Sequence, residues 1–292
     1  MADLALGTVQ FGLKYGVANA GERVSHDEVR AILDAARDCG IDTLDTAIAY
    51  GDAEANLGAV GSEGFAIITK VAPLPAVIDD VETWIVESIK GSLTRLKRKS
   101  VDAVLLHRAP EAIGQHARAY QSALARLKGE GLCGAVGVSI YTPEELDAIW
   151  DHPSGWRPEI IQGPYNVLDR RLAVSGWLDR LSGEGVRIHT RSAFLQGLLL
   201  MAPEKRPSYF DAFKPLLDRW HDTCRAAGET PLAAALGFVC REPRIEKAVI
   251  GVDSAAQLRE IAAAAGTAGE GVPADLVSND LALIDPSRWK LS

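Results

Sequence analysis

Four polar side chains stand where short apolar runs end. Asp45 closes the run Gly40-Ile41-Asp42-Thr43-Leu44 and opens Asp45-Thr46-Ala47-Ile48-Ala49-Tyr50-Gly51. Lys70 follows Phe65-Ala66-Ile67-Ile68-Thr69, and His107 follows Val101-Asp102-Ala103-Val104-Leu105-Leu106. A carboxylate, a phenol, an ammonium and an imidazole gathered in one place can move a proton onto a carbonyl oxygen. Free tyrosine, with a pKa of ~10, is a poor acid near neutrality. An ammonium ~4 Å away attracts a phenolate by ~4 kcal/mol at an effective dielectric of ~20, before desolvation losses. Asp45 would keep Lys70 charged and aimed. A neutral His107 would donate a hydrogen bond to the carbonyl oxygen and orient it. The reverse assignment, with His107 as acid and Tyr50 as orienter, satisfies the same residue types. Taken singly, Asp45 reads as a turn former or helix cap, Tyr50 as core, Lys70 as a solvated strand end and His107 as a structural imidazole. Their arrival after three consecutive strands argues for a shared task.

Candidate strands begin near Leu4, Ile41, Ala66, Val101, Ala135, Glu159, Val186 and Ala248, with helical patterns between them. Ser25 and Glu28 predict a capping box on a helix over 26–39. Thr142-Pro143-Glu144-Glu145 starts another helix with proline at its first position. Residues 81–96 carry Val81, Ile85, Ile89, Leu93 and Leu96 at helical spacing, followed by Lys97-Arg98-Lys99, favourable at a helix C-terminus. Apolar strands alternating with helices make a parallel sheet buried on both faces. Eight such units predict a (β/α)8 TIM barrel, in which polar residues at the C-terminal strand ends converge on one mouth. A doubly wound sheet is the competing architecture. Residues 197–247 read as an elaborated loop after strand seven, and 274–284 as a further C-terminal helix. No internal boundary divides the chain, so 1–292 reads as a single barrel domain. Gly129-Glu130-Gly131-Leu132-Cys133-Gly134 matches the dinucleotide fingerprint G-x-G-x-x-G, but it follows a helix and precedes a strand. That is the wrong order for holding a pyrophosphate, and the glycines read as a helix stop.

The composition, 47% hydrophobic and 24% charged over 292 residues, is that of an ordinary globular chain. A net charge of -8 offers no basic surface for nucleic acid or an anionic membrane. Cys39, Cys133, Cys224 and Cys240 lack metal-like or redox spacing and read as reduced thiols. Neither a basic leader nor a run of ~18 apolar residues occurs, so a cytoplasmic protein, monomeric or weakly homo-oligomeric, is expected.

With these pieces in order, the chain resembles the aldo-keto reductases over nearly its full length. Leu6-Gly7-Thr8-Val9-Gln10-Phe11-Gly12 is similar to the family's first-strand segment, and Asp45-Thr46-Ala47-x-x-Tyr50-Gly51 to its most specific motif. Lys70, Leu106-His107, Gly137-Val138-Ser139 and Gln162-x-x-Tyr165-Asn166 follow in family order. Ser192 with Leu195-Gln196-Gly197-Leu198-Leu199 resembles the seventh segment, and Ile250-Gly251-x-x-Ser254-x-x-Gln257-Leu258-x-Glu260 the eighth. The resemblance implies a nicotinamide-dependent reductase of an aldehyde or ketone, of sugar or sugar-like type, using NADP(H), with NAD(H) also accepted. It implies Tyr50 as proton donor, Lys70 and Asp45 as its tuning pair, and His107 as substrate orienter. Gly7 and Thr8 would flank the cofactor, and Ser139 and Gln162 would hold its carboxamide. Ser192 and nearby amides would take the pyrophosphate, while Gly251, Asp253, Ser254, Gln257 and Glu260 would line the adenosine half. A nucleotide-binding regulatory subunit with little turnover is the alternative.

Four departures stand out. Strand one starts almost at Met1, so a floor-plugging hairpin is not expected. Ile140 replaces the asparagine usual after the fifth-strand serine. Arg191 replaces the aromatic that commonly stacks on the nicotinamide; it could stack there, hold an anionic substrate, or form a plain salt bridge. Asp253 and Gln257 stand where members preferring the 2′-phosphate present Lys or Arg, with Arg259 the nearest cation, which implies a weakened NADPH preference. Residues 10–15, Tyr141 and residues 201–213 are candidate pocket walls, and Trp289 is either a lid or a tail docked on the barrel exterior.

Overall fold

Strand formation follows the apolar runs. The computed structural model describes residues 1–16, 23–265 and 271–291. Its strands are β1 (Asp3–Gly7), β2 (Thr43–Asp45), β3 (Ala66–Val71), β4 (Val101–Leu106), β5 (Cys133–Ser139), β6 (Ile160–Pro164), β7 (Arg187–Arg191) and β8 (Lys247–Gly251). All are parallel and close in chain order, β1 pairing with both β2 and β8. The helices in the first half are α1 (Val9–Gly12), α2 (His26–Asp38), α3 (Ala53–Val60), α4 (Val81–Leu96), α5 (Pro110–Ile113), α6 (Ala117–Gly129) and α7 (Pro143–Asp151). Then come α8 (Arg171–Val174), α9 (Trp177–Gly183), α10 (Lys214–Ala227), α11 (Pro231–Cys240), α12 (Ala255–Ala264) and α13 (Leu281–Ile284). This is the expected (β/α)8 barrel.

Alternation along each strand sorts side chains between two cores. Ile67, Val71, Val104 and Leu106 face the helix layer. Ile68, Ala103, Leu105 and Ile160 pack with one another inside the barrel. Lys70 is in phase with Ile68, and His107 continues the phase of Ala103 and Leu105. The strand period alone therefore delivers both to the mouth.

Local signals mostly act as expected. Ser25 accepts from the Glu28 amide at 3.2 Å, but Glu28 does not close the box. Its carboxylate instead accepts from the Ala255 amide at 2.7 Å, tying α2 to the first turn of α12. At α7 the box closes, with Glu145 accepting from the amides of Thr142 and Tyr141 at 3.2 and 2.6 Å. Gly131, at φ +70°, makes the turn between α6 and β5, so the fingerprint-like glycines are structural.

The region after β7 holds short 3-10 turns, α10 and α11, with a core of its own around Phe210, Leu217 and Trp220. The helix expected over 274–284 shrinks to α13. Its earlier carbonyls are diverted, those of Ala274 and Leu276 accepting from Arg170 at 3.4 and 3.2 Å. Asp280 then caps the Ala282 amide at 2.9 Å and fixes where the helix starts. Among the described residues no helix is long and apolar enough to cross a membrane.

Candidate active site

Asp45, Lys70 and Gln162 meet at the C-terminal end of the barrel. Lys70 Nζ donates to Asp45 Oδ1 at 2.6 Å and to the Thr46 carbonyl at 3.2 Å. The second Asp45 oxygen accepts from Gln162 Nε2 at 2.7 Å. Both ionic groups are almost wholly buried, at 1% and 4% side-chain exposure. Burial opposes the charge on Lys70, but the Asp45 carboxylate and then the Tyr50 phenol outweigh it and hold the ammonium above its ordinary range.

Tyr50 is placed by its loop. Lys70 Nζ lies 5.2 Å from the centre of its ring, and His107 meets that ring edge-on at 6.0 Å. Gly12 in α1 is what lets the loop sit so low: a Cβ there would stand 1.7 Å from the Tyr50 carbonyl oxygen. Gly51, at φ +57°, then turns the chain in a conformation that favours glycine. His107 is neutral near pH 7, because burial, and next the charge of Lys70, push it down to about 4. Its Nδ1 is buried without a partner.

These side chains open into a cavity of about 960 Å³, at the upper end for small-molecule sites. Gly7, Thr8, Ser139, Gln162, Arg191 and Ser192 all line it. Thr8 also locks β1 to β2, its amide and hydroxyl both donating to the Asp45 carbonyl at 2.9 and 3.0 Å. Ser192 sits at φ +64°, and Leu195 and Gln196 repeat left-handed backbone at φ +48° and +52°. The Gln196 side chain donates to the Tyr15 hydroxyl at 3.0 Å, linking the loops after β7 and β1.

On the β8 side, Gly251, Asp253, Gln257 and Glu260 line the cavity. Gln257 accepts from the Asp253 amide at 2.7 Å. Ser254 stands off the wall, its hydroxyl accepting from the Gln257 amide at 3.2 Å as the cap of α12. Arg259 turns away toward Asp38, 4.0 Å distant.

Arg191 forms no salt bridge among the described residues, which removes the plain strand-end ion pair. Its guanidinium rests 4.3 Å from the centre of the Tyr141 ring and donates to the Ile140 carbonyl at 3.0 Å. Trp289 packs edge-on against Phe210 at 4.9 Å and donates to the Leu283 carbonyl, so it docks outside the mouth. Of the candidate walls, Gln10, Tyr15, Tyr141, Met201, Ala202 and Lys205 line the cavity, and Phe213 does not. Sequence reasoning missed Thr230-Pro231-Leu232 at the start of α11, also on the wall. The Thr-Pro helix-start signal was the available clue.

Fold and mouth together define a (β/α)8 barrel whose cavity and buried polar cluster lie at the C-terminal ends of its strands. Residues 3–268 match the Aldo/keto reductase family, and the chain belongs to it, a family of oxidoreductases acting on carbonyls. It is similar to L-glyceraldehyde 3-phosphate reductase of Escherichia coli K12, at 28% identity over 89% of this chain and 84% of that one. An aldo-keto reductase of Mycobacterium ulcerans is 33% identical over 47% of this chain and 48% of its own. The holo structure of an aldo-keto reductase from Bacillus halodurans shares the fold, with a TM-score of 0.73 at 21% identity, covering 91% and 87% of the two chains.

Proposed function

We propose that this chain reduces an aldehyde or ketone to an alcohol with a nicotinamide nucleotide, Tyr50 donating the proton. The carrying observation is the buried Lys70–Asp45 pair at 2.6 Å, with the Lys70 ammonium beside the Tyr50 ring. The cavity fits such a cofactor. It runs from Gly7 and Thr8 past Gln162 to Gly251 and Glu260. Gln162 spends its Nε2 on Asp45, which leaves its oxygen to accept from a carboxamide beside Ser139. Ser192 and the loop amides after it would take the pyrophosphate.

Bound reduced nicotinamide supplies the hydride. Negative charge then grows on the carbonyl oxygen, and the Tyr50 hydroxyl donates its proton there. The ammonium of Lys70 stabilises the phenolate left behind, and Asp45 holds that ammonium in place. Neutral His107 donates to the same oxygen from a ring nitrogen and sets the carbonyl's direction. The Escherichia coli relative's name, a glyceraldehyde phosphate reductase, favours a short sugar-like aldehyde.

Cofactor choice follows from the β8 side. Arg259 points away toward Asp38, and Asp253 and Glu260 line the wall instead. The loss of a charge-assisted hydrogen bond costs ~1.5–3 kcal/mol, so NADH is expected to bind within about tenfold of NADPH. Titration of both, followed by tryptophan fluorescence, measures this; NADPH selectivity beyond ~100-fold contradicts it. For the reaction itself, a panel of aldehydes and ketones should consume reduced nucleotide one-for-one. Tight nucleotide binding with no turnover on any carbonyl would establish the regulatory alternative.

A further inference from the structure

Of the cations lining the cavity, Lys205 is exposed while Lys70 and Arg191 are withdrawn from water, and of those two only Lys70 is balanced. Lys70 has Asp45 at 2.6 Å. Arg191 is half-buried and meets no carboxylate among the described residues; its contacts are the Ile140 carbonyl at 3.0 Å, Ser192 Oγ at 3.5 Å and the Tyr141 ring. Withdrawing a guanidinium from water without a counter-ion is costly. A five-donor fork with so few acceptors is therefore a site short of an anion.

The direction of the side chain says which anion. Arg191 ends β7, yet its guanidinium leans across β6 to the Ile140 carbonyl just past β5. It thus points toward the β4–β5 edge, where His107 stands, and away from β8. Its positive charge is one of those that hold His107 neutral, and it works against the burial that raises Tyr15. The Tyr141 ring packs against it, 4.3 Å from the guanidinium carbon. A rigid guanidinium presented from the substrate side is built to take two oxygens of a carboxylate or phosphate.

We propose that Arg191, seated on Tyr141, anchors an anionic group carried by the carbonyl substrate, so that the chain acts on oxo acids or phosphorylated aldehydes in preference to neutral carbonyls. This rests on the carbonyl-reducing reading above and narrows it to a substrate class.

Two matched pairs test it: 4-oxopentanoate against 2-pentanone, and glyceraldehyde 3-phosphate against glyceraldehyde. The wild type should favour one anionic member at least about tenfold in kcat/KM, expressed mainly in KM, and the pair that shows it identifies carboxylate or phosphate. R191M should lower that ratio about 10–100-fold, the worth of one charge-assisted contact, with R191K retaining part of it. Calorimetric binding of 4-oxopentanoate and 2-pentanone to wild type saturated with NADP+, which cannot turn over, makes the same comparison without activity. Turnover with no preference for the anionic member of either pair would overturn the inference and leave the reductase reading standing. Anion-selective binding without turnover would do the reverse. If R191M leaves the ratio alone but weakens reduced-nucleotide binding, Arg191 serves the cofactor and the inference is wrong.

Discussion

Lys70 carries its charge where water scarcely reaches, and Asp45 makes that tolerable. Breaking such a pair from one side leaves an uncompensated buried charge. K70M should therefore cost on the order of 3 kcal/mol in urea unfolding, besides lowering turnover. Loss of activity with stability unchanged would show that the pair is not held as described. His107 supplies a sharper test, because its protonation can be read in the rate. Held down to about 4 by burial and then by Lys70, it remains neutral as pH falls past the ordinary histidine value. The acid limb of kcat/KM should accordingly appear near pH 4 and be absent in H107Q. A limb near 6.5, retained by the wild type alone, would contradict the assignment of a buried, neutral imidazole.

Two loops that pack without room for a methyl group set the position of Tyr50. G12A would drive a Cβ into the Tyr50 carbonyl oxygen, 1.7 Å away, so the loop must lift. Overpacking of this kind costs about 1–3 kcal/mol, and kcat/KM should fall even at temperatures where G12A is fully folded. Circular dichroism melting beside kinetics separates the two effects; a folded G12A with normal kcat/KM would refute this placement of the loop. At this scale the sequence was most readable. Runs such as Val101–Leu106 announce strands because both faces are buried, and counting by two from Leu105 puts His107 inward. Less readable were features set by distant partners. Glu28 looked like a local cap, but the Ala255 amide, 227 positions away, claims its carboxylate. Residues 274–284 read as helical, but Arg170 takes the carbonyls of Ala274 and Leu276. Whether Arg191 had a carboxylate neighbour depended on which way a six-bond side chain leaned, and no spacing rule carries that.

Across the whole molecule, acid stability is a balance of opposing groups. Glu246 lies 3.7 Å from His189 and bonds Arg187 at 2.8 and 2.9 Å; His189, then Arg187, hold it at about 2. A depressed carboxylate gives stability above its ordinary value, which is lost as pH falls toward 2. His107 is depressed to about 4, so the unfolded chain takes up its proton first and stability falls from about pH 6.5 to 4. Glu111 works the other way: burial raises it to about 7, so the folded state binds its proton first between about pH 4.5 and 7. The shifts of His107 and Glu111 are of similar size and opposite sign. Urea stability should therefore be nearly flat from pH 6.5 to 4.5 and fall below that. In E111Q the His107 slope should emerge, with stability rising from pH 4 to 6.5; a flat E111Q profile would refute this balance. At the mouth, Asp45, Tyr50, Lys70 and His107 come together from three strand ends, with Tyr50 and His107 proposed to meet the reacting oxygen. The most direct test is the single-turnover rate of reduced-nucleotide oxidation in Y50F, with nucleotide binding followed in parallel by tryptophan fluorescence. A fall of ~10²-fold or more in the rate, with nucleotide affinity within about threefold of wild type, is the expected result. A Y50F rate equal to wild type would contradict the proton-donor role on which the mechanism stands.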